Sequence, residues 1–207
     1  MQDLIEGLIH FRKQNFQEHK SLFCKLERCQ RPHTLFITCS DSRVVPELIT
    51  NSVPGELFVV RNIANLVPPY CETKEHVATT SAIEYAINVL EVQNIVVCGH
   101  SNCGGCASIH LSDDVPHKIP HTKKWLELTH NVKKRVSEEL KDNDDQVKEW
   151  LTEQINVIEQ IKNLSTYPFI EEKYNNNEIN IHGWYYVIET GEVLIYNDEK
   201  KEFELAN

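Results

Sequence analysis

Three short apolar runs, at 34–38 (Thr-Leu-Phe-Ile-Thr), 57–60 (Leu-Phe-Val-Val) and 94–98 (Asn-Ile-Val-Val-Cys), alternate with stretches of helical periodicity, and few folds accommodate that order. Runs of this kind form strands buried on both faces, which is the character of parallel sheets. The pattern predicts an α/β fold: a mostly parallel central sheet flanked by helices. In such sheets ligands bind beyond the carboxyl ends of the strands. Cys39 follows the first run directly, and His100 stands two residues past the third.

The remaining elements follow from the same periodicities. Residues 3–28 read as a helical arm, with Leu4, Leu8 and Phe11 on one face and Ile5, Ile9 and Phe16 beside them, a surface that needs cover. Pro32 ends the arm, Pro54-Gly55 marks a turn, and Pro68-Pro69 closes the loop behind the second run. A helix over 79–91 carries Ile83, Ala86, Ile87 and Leu90 on one side. From 118 to 165 the pattern is helical, with a stripe of Leu151, Ile155, Ile158 and Ile161 and a solvated acidic turn at 138–145; it reads as packing, without a part in chemistry. Residues 179–189, the Thr190-Gly191 turn and 193–196 read as an antiparallel hairpin on the edge of the sheet, a C-terminal edge hairpin to match the projecting N-terminal arm. A chain of 207 residues without repeats or linkers suits a single domain, 1–207.

Charge and cysteine usage exclude several classes of function. With 31 Asp+Glu against 21 Lys+Arg, the formal charge of −10 repels phosphate backbones and anionic lipid, so nucleic acid and membrane are not expected partners. The opening Met-Gln-Asp-Leu-Ile-Glu puts two acids where a signal peptide needs basic residues, and no run approaches the ~20 apolar residues of a membrane span. Seven cysteines without regular spacing point to a reducing compartment, with the cytoplasm as the expected location.

Cys39, His100 and Cys103 together offer zinc two thiolates and one imidazole. Three protein ligands with a fourth position left to water is the pattern of a catalytic zinc site. Asp41 and Arg43 follow the first ligand by two and four residues, placed to orient one another at the metal, although a surface ion pair is the plainer reading. Three of only seven glycines, Gly99, Gly104 and Gly105, crowd around His100 and Cys103, which suggests tight turns or close approach. A helix starting near Asn102 would favour the Cys103 thiolate. Two alternatives use Cys106: a Cys103-x-x-Cys106 redox pair, and a closed structural zinc site with Cys106 as fourth ligand. Cys24, Cys29, Cys71, Cys98, His33 and His182, taken singly, read as packing.

Four segments then carry a resemblance: Cys-Ser-Asp-Ser-Arg-Val at 39–44, Pro-Gly-Glu-Leu-Phe-Val at 54–59, Arg-Asn-Ile-Ala-Asn at 61–65 and Gly-His-Ser-Asn-Cys-Gly-Gly at 99–105. In this order they resemble the β-class carbonic anhydrases over about residues 30–196. Pro-His-Thr-Leu-Phe-Ile at 32–37 and Ile-Glu-Thr-Gly-Glu at 188–192 are most similar to bacterial members of the ε-proteobacterial type. The resemblance implies a carbonate dehydratase, a zinc lyase that reversibly hydrates CO₂ to bicarbonate and a proton. Cys39, His100 and Cys103 would hold one Zn²⁺ per chain, and zinc-bound hydroxide would attack CO₂ while the Asp41/Arg43 dyad orients it. Gln30, Phe58 and Tyr85 would line the substrate cleft, with Gly104 beside them. It also implies a homodimer or homotetramer with the cleft at a dimer interface and residues 1–28 as a dimerisation arm. Some bacterial members close a second bicarbonate pocket with a Trp where this chain has Phe36; Arg61 and Tyr186 would fill its other corners, so the pocket is expected to lack only the indole N–H donor here. Carbonyl sulfide or carbon disulfide would yield to the same nucleophile, and a zinc-loaded or thiol-based sensor without turnover is the alternative from another class.

Overall fold

A computed structural model describes residues 1–71, 76–111, 119–140 and 145–206. Six strands form one sheet: β1 (Thr34–Cys39), β2 (Leu57–Asn62), β3 (Asn94–His100), β4 (Asn180–Tyr186), β5 (Val193–Asn197) and β6 (Glu202–Leu205), in the spatial order β2-β1-β3-β4-β5-β6. The pairs β1/β2, β1/β3 and β3/β4 are parallel, whereas β4/β5 and β5/β6 are antiparallel. The mostly parallel sheet expected from the sequence is therefore present, with two differences. The segment expected as the first arm of an edge hairpin is an interior strand, since β4 also pairs with β3. Glu202–Leu205, too short to stand out as a strand, becomes one because β5 offers it an unpaired edge.

The helices are α1 (Gln2–Lys13), α2 (Asn15–Glu18), α3 (Lys20–Leu26), α4 (Pro46–Thr50), α5 (Val77–Asn88), α6 (Gly104–Ala107), α7 (Pro120–Leu126), α8 (His130–Glu139), α9 (Asp145–Leu164) and α10 (Pro168–Asn175). One face of the sheet presents Leu35, Ile37, Val60, Ile95 and Val97 to Ile83 and Ile87 of α5, Val157 and Leu164 of α9, and Ile170 of α10. Helix α9 lies closest. A Cβ on Gly99 would stand 2.7 Å from Val157 Cγ2, and one on Gly183 2.6 Å from Ile161 Cδ1, so these two glycines let the helix settle onto β3 and β4. The other face carries Phe36, Val96 and Cys98 with Trp184 and Tyr186, and Phe36 meets Trp184 edge to face at 5.8 Å.

The stretch 118–165 resolves into α7, a 3-10 turn at Glu127–Thr129, α8 and α9, while residues 141–144 of its acidic turn lie outside the described residues, as does 118. From Thr152 to Gln160 helix α9 is buried on nearly every side, including Glu153, Asn156 and Gln160. Beside the expected Leu151/Ile155/Ile158/Ile161 stripe, the helix therefore also buries polar side chains that the packing reading did not anticipate. The expected single arm is broken at Gln14 (φ −123, ψ −75) and again at His19 (φ −102, ψ 13) into α1, α2 and α3, drawn together by Phe11, Phe16 and Phe23 with ring centroids 5.3–6.3 Å apart. None of its residues is buried, and Leu4 and Leu8 are 69% and 68% exposed. Among the described residues no helix is long and apolar enough to cross a membrane.

Candidate metal centre

Parallel pairing brings the ends of β1 and β3 together, and with them Cys39 and His100, the last residues of these strands. The chain then turns through Asn102, whose φ of +55 is a conformation few residues other than glycine adopt, and presents Cys103 at the start of α6. The donor atoms of Cys39, His100 and Cys103 all lie within 4.8 Å of one another, and all three residues are buried. The two sulfurs are 3.9 Å apart; two thiolates at Zn–S distances of ~2.3 Å around a tetrahedral zinc would stand ~3.8 Å apart. His100 Nδ1 pairs with the Ser101 carbonyl at 3.0 Å, which turns Nε2 toward the sulfurs, where it is buried without a partner. An orphaned buried ring nitrogen facing two thiols is the donor set of zinc, and the residues fit the ion.

The ionisation of the thiols agrees. The hydrogen bond with Cys103, followed by burial, pushes the Cys39 thiol up to about 12. Cys103 is raised as well, chiefly by its contact with Cys106. Both thiols are neutral near pH 7 without a cation, so a divalent metal must displace two protons as it binds.

Asp41 borders the cluster. Arg43 holds both its oxygens, Nε donating to Oδ1 at 2.9 Å and Nη2 to Oδ2 at 2.7 Å, and Oδ2 lies 3.9 Å from His100 Nε2. Arg43 keeps this carboxyl well below the usual carboxylate range. The guanidinium also donates to the Asn102 carbonyl at 3.0 Å. Arg61 secures the loop from the other side, donating to the carbonyls of Cys39 (3.0 Å) and Asp41 (2.6 Å).

Two residues that sequence reasoning did not single out lie beneath the loop. The Cys103 N–H donates to Glu153 Oε1 at 2.7 Å, and the Tyr185 hydroxyl donates to Oε2 at 2.6 Å. Burial pushes the Glu153 carboxyl up to about 7, against the opposing effect of these two donors. Asn156 reaches the Ala64 carbonyl and the Cys106 sulfur, and Gln160 accepts from the Val67 N–H. The signal was faint: Glu153, Asn156 and Gln160 recur at helical spacing beside the apolar stripe, but other polar residues surround them in the segment.

The other expected residues divide. Gly104 is exposed at the start of α6, and Cβ there would meet nothing within 4 Å; neither it nor Gly99 or Gly105 adopts a positive φ, and Gly105 instead allows Ala64 to approach. Helix α6 has four residues, so the helix expected near Asn102 is a single turn. Phe58 and Tyr85 touch, with ring centroids 6.1 Å apart, and Gln30 is exposed just before β1. These three sit at the amino ends of the strands: Phe58 pairs with Leu35, four residues or ~13 Å before the level of Cys39. Within one chain they do not meet the metal ligands. Cys106 stands outside the three-residue cluster, its sulfur accepting from Asn156 Nδ2 at 3.7 Å, which speaks against the closed site. Among the lone residues read as packing, Cys98 is buried; Cys24, Cys29 and Cys71 are exposed, as are His33 and His182. Cys24 and Cys29 surface because nothing among the described residues covers the arm.

A family model described as carbonic anhydrase matches residues 34–193, more than half the chain and every residue of the cluster. The chain belongs to the β-class carbonic anhydrases. It is 45% identical over 205 residues to a carbonic anhydrase of Helicobacter pylori strain J99, covering 96% of this chain and 91% of the relative. A carbonic anhydrase of Synechocystis is 40% identical, with 98% and 73% covered. Among solved structures, the β-carbonic anhydrase CcaA superposes with a TM-score of 0.95 at 39% identity, over 100% of this chain and 99% of that one. A tetrameric β-carbonic anhydrase of Sordaria macrospora gives 0.83 at 32%, over 94% and 95%. These relatives are carbonate dehydratases by name, and in this β-carbonic anhydrase the Cys-His-Cys cluster stands where the strand ends converge.

Proposed function

We propose that this chain is a zinc-dependent carbonic anhydrase that hydrates CO₂ reversibly, with Cys39, His100 and Cys103 holding one Zn²⁺ per chain. One observation carries the reading: His100 Nε2, buried and unpartnered, faces two thiols and stands 3.9 Å from an arginine-held carboxylate. When bound, zinc supplies a water acidic enough to serve as nucleophile near neutral pH. Asp41, kept ionised by Arg43 and with Oδ2 3.9 Å from His100 Nε2, would accept that nucleophile's hydrogen bond and so orient its lone pair. Arg43 and Arg61 tie the backbone carbonyls of both ligand loops, holding the ligands at one separation.

The test is one preparation assayed for metal content and for CO₂ hydration by stopped flow with a pH indicator. About one zinc per chain with rapid hydration is expected; one zinc per chain with no turnover of CO₂ overturns the reading in favour of a sensor or of a carbonyl sulfide or carbon disulfide hydrolase.

The site is completed, in this reading, by a second copy of the chain. The uncovered apolar surface of α1 and the distance of Gln30, Phe58 and Tyr85 from their own cluster both support a dimer in which these residues serve the partner's cleft, with Gly104 at its floor. The tetrameric Sordaria relatives support pairs of such dimers. Thiol ligands favour a reducing compartment, hence the cytoplasm.

Bicarbonate is expected to inhibit only by competition at the metal, with hyperbolic saturation. Phe36 offers no donor, and Arg61 is already spent on two carbonyls. An anion held by Arg61 and Tyr186 alone leaves one oxygen unpaired, at a cost of ~1–3 kcal/mol, which weakens binding ~5- to 150-fold. Sigmoidal inhibition of the unmodified enzyme by bicarbonate would contradict this; Phe36→Trp is the variant expected to introduce it.

A further inference from the structure

The peptide unit between Asn102 and Cys103 is gripped at both ends from opposite sides. From the solvent side Arg43 Nη2 donates to its carbonyl at 3.0 Å while holding Asp41. From the core its N–H donates to Glu153 Oε1 at 2.7 Å, and the Asn102 N–H faces the same carboxylate. Glu153 is 2% exposed and rises from α9, on the buried side of the loop. Its second oxygen is held by the Tyr185 hydroxyl at 2.6 Å, from β4. Burying a carboxyl group is costly unless its oxygens are bonded, and here the bonds go to the backbone of a metal ligand and to a residue that anchors the acid.

Rotating that peptide would swing the Cys103 side chain away from Cys39 and His100. The loop turns through Asn102 at φ +55, a left-handed conformation that asparagine adopts more readily than most residues, so the bonds on either side of the peptide are what hold its orientation. Arg43 alone restrains only the carbonyl end. We propose that Glu153 is a positioning residue of the metal centre: by holding the Cys103 amide it aims the Cys103 thiolate at the metal, and Tyr185 fixes Glu153 for that task. This rests on the metal-centre reading above. It gives α9 a part in the chemistry, transmitted through one hydrogen bond into the loop.

The experiment uses the full chain loaded with Zn²⁺ or Co²⁺. Three quantities are read: the rate of zinc loss to excess chelator, the thiolate-to-cobalt and d–d absorption bands, and the melting temperature. Glu153→Ala should lose zinc ~10- to 100-fold faster and shift the cobalt bands, both well below its melting temperature. Glu153→Gln keeps an acceptor for the Cys103 N–H and should restore the wild-type spectrum. Tyr185→Phe, which leaves the loop contact in place, should speed zinc loss by about 2- to 10-fold. A Glu153→Ala protein with a lower melting temperature but unchanged zinc loss and cobalt bands reduces Glu153 to a structural role and overturns the proposal. If that variant does not fold, unchanged zinc loss in Tyr185→Phe overturns it. A wild-type protein with no thiolate-to-cobalt band instead overturns the metal-centre reading, and the proposal with it.

Discussion

Replacing Cys39 or Cys103 with Ser, or His100 with Ala, is expected to abolish both CO₂ hydration and stoichiometric zinc. Three donors within 4.8 Å make the cluster, and two of them seldom retain the ion. The loss should be near complete, because a divalent metal has to displace protons from two neutral thiols, and fewer ligands leave less to drive that exchange. Cys106→Ser should keep both properties, since that sulfur lies outside the cluster and serves as an acceptor for Asn156. Metal analysis by mass spectrometry beside stopped-flow rates decides the matter. Zinc lost in the Cys106 variant but kept in the Cys103 variant would reverse the ligand assignment.

Asp41→Asn is expected to leave zinc bound and to lower the hydration rate ~10²- to 10⁴-fold, the range for a lost acid–base partner. The amide keeps the shape but can no longer accept through both oxygens from Arg43, and its nitrogen cannot accept from the nucleophile. Arg43→Ala should cost at least as much and should also loosen the metal, because Arg43 holds the Asn102 carbonyl as well as Asp41. The sign of the pH effect follows from Arg43, which lowers the Asp41 carboxyl well below its usual range. Asp41 stays ionised in the folded protein at every pH above that lowered value, and its contribution fades only as strong acid protonates it. The wild-type rate profile between about pH 6 and 9 should therefore carry no Asp41 step. A near-wild-type rate for Asp41→Asn would reduce the pair to an incidental ion pair.

Much of this was legible in the order of residues. The three apolar runs alternating with helical stretches announced a parallel sheet; β1 is buried along its whole length, whereas β2, at the sheet edge, is mostly half-buried. The cluster was legible because a parallel sheet collects residues that follow its strands at one end, so the two ends that carry Cys39 and His100 had to be neighbours once β1 paired with β3. Their spacing from Cys39 singled out Asp41 and Arg43 as an orienting pair or an ordinary ion pair, and the family resemblance supplied the catalytic reading.

What could not be read locally depends on contacts between segments far apart in the chain. Glu153 is 50 residues from Cys103 and Tyr185 a further 32 from Glu153, and nothing in either segment says that α9 will settle over Gly99 and Gly183 so that one carboxylate meets both. β6 became a strand only because β5 exposed an edge to it. The arm's break at Gln14 and the seating of Phe58 and Tyr85 at the opposite ends of the strands from the metal ligands have the same origin. Periodicity reports which faces a segment would bury, and residue type reports which atoms it can offer. Which partner each face and atom meets is settled by the packing of the whole chain, where burial, backbone approach and hydrogen bonding must be satisfied at once.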